Sequence, residues 1–366
     1  MTLKEELEIL RGEPILVFDG DPMDIPCIET SDAEKLCKHP VVSVHMITYN
    51  HEPYIRQAIE GVMMQKTDFE FELVIGEDCS QDKTREICFE YQKKYPDKIR
   101  VLWWHENVSK FGGNGRRVTA HCRGEFIAYC EGDDYWIDPL KLQKQVDYIR
   151  ETDSVMCVAN SEWHNPDGSV RQDVYKKAKG LLELDDFLAH YFHTTTYLLN
   201  RHVYEECRSA YSELIFWYDA VTASCMATMG KTCVIPDIVS VYNWTGLGMG
   251  GADGSQKRDM LLMSQFAQFA FCHNSKISDY YTERFISKAR SCMQSFSFSG
   301  FRHTLAKRIR VARVVWDICW MKRRRMQGSI FLIKFPVWTL ISWIKIHYMR
   351  HPRIGIFWRR VKRICG

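Results

Sequence analysis

The sequence predicts an α/β fold: a Rossmann-like, mostly parallel central sheet flanked by helices, followed by a helical, basic C-terminal extension. Three observations point there. Between Pro40 and Trp136, apolar β-branched runs alternate with segments of helical period, the order of a doubly wound parallel sheet. Three of those runs end in polar residues, at Thr48-Tyr49-Asn50, Glu77 to Ser80 and Glu131 to Asp134, and such a sheet brings its strand ends to one edge. The charge is also divided. Of 49 Lys+Arg and 46 Asp+Glu, residues 301–366 hold seventeen bases and one acid, Asp317, leaving 32 bases against 45 acids before them. A basic tail on an acidic body implies an anionic partner for the tail.

Taken in order, residues 1–39 read as an N-terminal extension, with a short acidic helix at Leu3 to Arg11 and a helix start at Ser31 to Glu34. Asp19-Gly20-Asp21 is an Asp-x-Asp, but Phe18 and Pro22 flank it without a following helix, which is turn chemistry. Val41 to Ile47 is the first strand, and Glu52 to Met64 an amphipathic helix with Ile55, Ile59 and Met63 on one face. Phe69 to Ile75 is the second strand, followed by a helix carrying Ile87, Tyr91 and Tyr95 up to Pro96. Ile99 to Trp104 is the third strand. Asn107 to Gly115 is a Gly/Asn-rich loop, and Arg116 to Cys122 is helical; Arg116 and Arg117 read as surface residues. Glu125 to Trp136, EFIAYCEGDDYW, is then a buried strand delivering two adjacent carboxylates, Asp133 and Asp134. Two carboxylates at a strand end suit Mn²⁺ or Mg²⁺ shared with substrate phosphates, and Gly-Asp-Asp suits a plain turn equally well.

The stretches PVVSVHMITYNHEPYIRQAI, FELVIGEDCSQDKT and GEFIAYCEGDDYWIDPLKLQKQV resemble the nucleotide-sugar-binding half of inverting family 2 glycosyltransferases. The resemblance is strong over residues 40–150 and looser over 151–245. It implies a sheet of the GT-A type and a glycosyltransferase domain at 40–255, with a nucleotide-sugar half at 40–150 and an acceptor half at 151–255. It further implies that Thr48, Tyr49, Asn50 and Glu52 lie against the nucleotide sugar, and that Asp78 accepts the base N3–H of a uracil-type base, for which an ionised carboxylate is a matching acceptor. Asp134 would be the metal ligand and Asp133 would face ribose or donor sugar. Glu77 and Cys79 depart from the residues usual in the family, Asp for the former and Asp, Gly or Asn for the latter.

Met156 to Ser161 reads as a strand, Asn165 to Gly168 as a turn and Leu181 to Tyr191 as a helix. His193 to Leu199 enters an acceptor-side strand. Asp219 opens a helix, Ala220 to Met229. By the resemblance it is the general base that deprotonates the acceptor hydroxyl, and by its position it is equally an N-cap. Val234 to Tyr242 reads as a strand pair, and 246–254 as a glycine-rich segment. The family's basic residue before that segment is replaced by Asn243-Trp244-Thr245. Residues 256–300 read as helical. In the tail 301–366, Leu305, Ile309, Val315 and Cys319 recur near helical spacing among basic residues, and Phe335 to Ile344 is too short to span a bilayer. Aromatic residues beside bases suit a helix lying on an anionic membrane surface.

Fourteen cysteines without a CxxC pair read as reduced core residues, and MTLKEELEIL lacks a secretory pattern. The expectation is therefore a cytoplasmic enzyme held peripherally on the inner face of the membrane. It would transfer a sugar from a nucleotide diphosphate donor, UDP-linked, to a glycan or lipid-linked acceptor in surface polysaccharide synthesis, with no nucleic acid as partner. A nucleotidyltransferase on a similar sheet would need a basic, glycine-rich loop after the first strand, and Ile47 to Glu52 has none. A non-catalytic, basic-tailed binding protein and a degenerate family member remain alternatives.

Overall fold

The computed structural model describes residues 26–109, 113–173, 180–190, 192–212, 219–245 and 272–295, with the short pieces 7–8, 24, 175, 214 and 266–269. Eleven strands form one sheet. Its centre is the parallel set β2 (Val42–Thr48), β3 (Phe71–Glu77), β4 (Ile99–Trp103) and β5 (Phe126–Tyr129), in the spatial order β4-β3-β2-β5. Every residue of β3 is buried, and all but Ile47 of β2, as expected for parallel strands covered on both faces. Helices α1 (Ile55–Met63), α2 (Thr84–Lys94) and α3 (Gly113–His121) make the crossovers. Ile55, Ala58, Ile59 and Val62 of α1 turn inward onto the strands. These four strands and three helices thus stand within a few residues of where periodicity puts them.

Beyond β5 the sheet changes character. The chain leaves β5, passes through the acidic turn, and enters the two-residue strand β6 (Tyr135–Trp136) at the far edge of the sheet. Gly61 of α1 lies against this edge, where an added Cβ would come within 2.9 Å of the Trp136 backbone. Between β5 and β6 stand β10 (Leu198–Asn200), β7 (Met156–His164) and β11 (Thr232–Asn243). β10 is antiparallel to both its neighbours, whereas β7 and β11 run parallel. The remaining helices are α4 (Lys141–Thr152), α5 (Leu184–Ala189), α6 (Arg201–Ala210), α7 (Asp219–Met229) and α8 (Ser275–Ser295).

Several expectations change. Inside the segment read as an extension, β1 (Ile28–Thr30) adds an antiparallel edge strand to β4. Ser31 to Glu34 leads into a turn, not a helix, closed by the Lys35 and Leu36 N–H groups donating to Asp32 O (3.1 and 3.0 Å). The predicted helix at Leu181 to Tyr191 is shortened to α5, since Leu181 and Leu182 are taken into strand β9 (Gly180–Leu182), paired with β11. His193 to Leu199 enters strand β10, as expected, by way of a 3₁₀ turn, Thr194–Thr196, in which Thr196 Oγ1 donates to His193 O (2.7 Å). Val234 to Tyr242 is one long strand rather than a pair, with Pro236 at an irregularity where the register against β7 shifts. Strand β8 (Val170–Asp173) follows the Asn165 to Gly168 turn and pairs with β7. The expected helices at Leu3 to Arg11 and in 256–300 are described only in part, at 7–8, 266–269 and α8. Asp19-Gly20-Asp21, the glycine-rich segment and the basic tail lie outside the described residues.

A buried lysine ties the two halves together. Lys141, at the start of α4, is fully buried; its Nζ donates to Gln145 Oε1 (2.7 Å) and lies 4.2 Å from the Trp136 ring centroid. Gln145 in turn donates to Thr196 O (2.7 Å). Burial pulls the Lys141 pKa down from 10.5 to about 7. The unfolded chain therefore binds a proton that the folded one has lost, between pH 7 and 10.5, and stability rises with pH across that window. Lys141→Met is expected to be more stable than the parent at pH 7, with the difference shrinking towards pH 10. Urea melts at pH 7, 8.5 and 10 measure it; a constant difference would remove titration as the cause.

Candidate active site

Strand order reverses direction between β2 and β5, and the polar ends of both strands open on that switch point, where α/β sheets bind ligands. The acidic turn is stitched to β2 by backbone bonds: Cys130 N–H donates to His45 O (3.1 Å) and Gly132 N–H to Ile47 O (3.0 Å). Residue 132 has no room for a side chain, since a Cβ there would lie 2.6 Å from Thr48 Oγ1 and 2.7 Å from Thr48 Cβ.

Asp134 is almost wholly buried. Its Oδ1 accepts the Asn243 N–H from the end of β11 (2.8 Å), and its Oδ2 is 4.0 Å from His193 Nδ1. Burial, with the charges of Asp133 and Glu131, pushes its carboxyl well above the usual range. Glu131, pushed up to about 8 by burial, also feels the charges of Asp219 and Asp133. Its Oε2 is buried with no hydrogen-bond partner. Asp133 Oδ2 lies 3.8 Å from His51 Nε2, while its backbone carbonyl accepts from Asn243 Nδ2 (2.7 Å). Asp219, first residue of α7, accepts from the Ala220 N–H (2.7 Å) and from Thr194 Oγ1 (2.6 Å). Asp219 meets the N–H of the next residue, not of one two or three along as an N-cap would, and its charge acts on Glu131. The fold thus brings Asp219 to Glu131, which itself interacts with Asp133 and Asp134.

The other predicted site residues line the neighbouring loops. Tyr49 is 42% exposed, whereas Thr48 is buried with its hydroxyl unpartnered. Asn50 and Glu52 clasp the loop after β3: Asn50 Oδ1 accepts from Gln81 N (2.7 Å) and Glu52 Oε2 from Lys83 N (3.2 Å). Asn50 (φ 54) and Cys79 (φ 63) both adopt left-handed backbone, which explains why Gly or Asn suits the Cys79 position. Asp78 is fully buried. Its Oδ1 accepts from Val108 N (2.7 Å), and its Oδ2 from Ser109 N (3.1 Å) and the Ser109 hydroxyl. Burial outweighs those bonds and raises its pKa. Glu77 accepts from Ser80 N (2.6 Å) and pairs with Arg85, a structural role. Arg117 is buried, contrary to the surface reading, with Nε donating to Cys27 Sγ (3.2 Å).

Sequence reading assigned no role to His51, Glu131, His193 or Asn243. Glu131 carried a signal, its place in the acidic run; Asn243 carried none, because its role arises from the pairing of β11 with β6.

The donor set fits a hard divalent cation: the acids offer oxygen ligands and raise one another's pKa for want of positive charge. His193 does not supply that charge, since burial lowers its pKa to about 4. Among the described residues, no three His, Cys, Asp or Glu side chains form a complete metal cage. A cation shared with substrate phosphates needs only one or two protein carboxylates.

Gly132→Ala is expected to destabilise the protein by about 1–3 kcal/mol through overpacking against Thr48. Gly115→Ala, where the nearest atom to a new Cβ is His45 Nε2 at 3.9 Å, is the control and should be neutral or stabilising. Equilibrium urea melts of the two variants test this.

Among known proteins, residues 43–208 match the model of Glycosyl transferase family 2. An uncharacterized protein of Mycobacterium tuberculosis is 33% identical over 209 residues, 55% of this chain and 58% of that protein. The dTDP-rhamnosyl transferase RfbG of Shigella flexneri is 28% identical over 148 residues, 39% of this chain and 49% of that one. This chain thus spans about half the length of these relatives. In fold, the chain is similar to S. aureus TarS (residues 1–349) crystallised with UDP, with a TM-score of 0.60 at 16% identity, covering 83% of this chain and 89% of that one. Residues 43–208 thus match glycosyl transferase family 2, in a chain whose α/β fold is of GT-A type.

Proposed function

We propose that the protein is an inverting glycosyltransferase. It moves a sugar from a nucleotide diphosphate donor, UDP-linked, to an acceptor hydroxyl in surface polysaccharide or lipid-linked glycan synthesis. The observation that carries this is the meeting of Glu131, Asp133, Asp134 and Asp219 at the switch point of the sheet. UDP bound to a protein of similar fold supports the donor class. The dTDP-linked relative keeps thymine beside uracil, and both bases carry the N3–H that Asp78 would meet.

Each side chain then has a task. Tyr49, exposed at the end of β2, stacks on the nucleoside, with Thr48, Asn50 and Glu52 shaping the loop around it. Asp78 offers its remaining Oδ1 lone pair to the base. Asp133 faces ribose or donor sugar. Asp134 would hold Mn²⁺ or Mg²⁺, which supplies Lewis-acid neutralisation of charge on the departing diphosphate. Asp219 is fixed by Thr194 and the Ala220 N–H, so its remaining lone pairs are oriented. It takes the acceptor's hydroxyl proton as that oxygen bonds to the sugar's anomeric carbon, and the nucleoside diphosphate leaves with the bonding pair from the opposite face.

Asp219→Asn is expected to lower sugar transfer by about 10²–10⁴-fold while nucleotide binding persists. Asp134→Ala should abolish the Mn²⁺-dependent part of a UDP thermal shift. UDP, dTDP and GDP, each with and without Mn²⁺, are compared by melting temperature. A protein shifted by none of them would overturn the reading.

The tail forms the second part of the proposal. Its seventeen bases and one acid in 301–366 suit an anionic bilayer, and the protein would sit peripherally on the cytoplasmic face. Among the described residues no helix is long and apolar enough to cross a membrane. Flotation with phosphatidylserine vesicles is expected at low salt, to weaken at high salt, and to be lost when 301–366 are removed. Salt-independent flotation would count against it.

A further inference from the structure

Two polar atoms at the switch point are buried without a partner, Thr48 Oγ1 and His51 Nδ1, and both face Gly132. The site of an ideal Cβ on Gly132 is 2.6 Å from the hydroxyl and 3.0 Å from the ring nitrogen. The two atoms therefore border one small spot; no hydrogen bond joins them as they stand, and a side-chain adjustment or a single water would close the gap. Leaving both unsatisfied is costly, and one is a natural donor and the other a natural acceptor. On the opposite side of the same ring, His51 Nε2 stands 3.8 Å from Asp133 Oδ2.

We propose that Thr48, His51 and Asp133 form a positioning relay. The Thr48 hydroxyl donates to His51 Nδ1, which places the imidazole proton on Nε2, where it is directed at the Asp133 carboxylate and orients it. His51 is thus a positioning residue for the donor-facing acid. This rests on the donor role given to Asp133 above.

The backbone prepares the ring for this task. His51 N–H donates to Thr84 Oγ1 (2.8 Å), and its carbonyl accepts from Tyr54 N and Ile55 N (2.9 Å each), pinning the residue at the entrance to α1. Asp82, the other acid acting on the ring, is already occupied by the Glu52 and Thr84 N–H groups (3.0 Å each) and by the Thr84 hydroxyl. Burial favours the neutral imidazole, and a neutral ring has one donor and one acceptor nitrogen. The arrangement also gives Gly132 a second reason to lack a side chain, because a methyl group there would fill the space between hydroxyl and ring.

Two measurements test the relay. In ¹⁵N-histidine NMR of the full chain at neutral pH, His51 is expected as the Nε2–H tautomer, and Thr48→Val should shift it towards Nδ1–H while Thr48→Ser preserves it. An Nδ1–H tautomer in the parent protein overturns the proposal. In donor kinetics, His51→Gln keeps an amide donor at the position of Nε2, whereas His51→Asn keeps one only near Nδ1. The Asn variant is expected to lose roughly ten- to hundredfold in kcat/KM for UDP-sugar, with Gln within severalfold of the parent. Equal losses in two variants that melt like the parent overturn it. If the parent transfers no sugar from UDP donors, the reading of function fails, while the tautomer still decides the relay.

Discussion

The acidic turn lies against the end of the first central strand because residue 132 carries no side chain. Gly132 donates its N–H to Ile47 O, and Thr48 occupies the place where a Cβ would stand. From that contact the geometry of the crevice follows. The end of β5 is held level with the end of β2, and Glu131, Asp133 and Asp134 are presented on the side where the sheet reverses its strand order. The chain must then cross to the far edge to form β6, and the β6–β11 pairing returns Asn243 to the same acids.

Like charges do not gather in a low-dielectric crevice without cost, and the shifts show how the cost is carried. Burial and mutual repulsion raise the pKa of Glu131 and Asp134, and the Asn243 N–H offsets only part of this at Asp134. Elsewhere the same fold compensates its buried acids with arginine. On the opposite end of the sheet Glu72 accepts from Arg123 (2.6 Å), Arg100 (3.3 Å) and Ser43 (2.7 Å), and its pKa falls below the ordinary value. The contrast separates a carboxylate compensated by the chain's own arginines from carboxylates that no cation of the described residues compensates.

Two devices keep residues 151–245 in place relative to residues 40–150. One is the chain of polar contacts from Trp136 Nε1 to Thr195 O (3.0 Å) and from Lys141 through Gln145 to Thr196 O. The other is the antiparallel β10, wedged between β5 and β7. Together they set the 193–196 turn, and Thr194 on that turn orients Asp219. The orientation of the Asp219 carboxylate therefore depends on this junction as well as on its own helix.

Much of the molecule was legible in the sequence. The alternation of apolar strands and periodic helices over residues 40–152 placed the parallel half, because local burial on both faces of a strand leaves an unbroken apolar run. Those runs end in Asn50, Asp78, Asp133 and Asp134, and the structure brings the ends to one edge of the sheet. What tertiary structure alone decided is long-range. No local signal shows that Leu181 joins a strand, that Ile28 to Thr30 closes the sheet edge, or that Val234 to Tyr242 is one strand bent at Pro236, since pairing partners far along the chain determine each. The same holds within the site: Asn243, His193 and His51 acquire their roles from backbones brought together over tens of residues, and a sequence records the side chains but not which of them will meet.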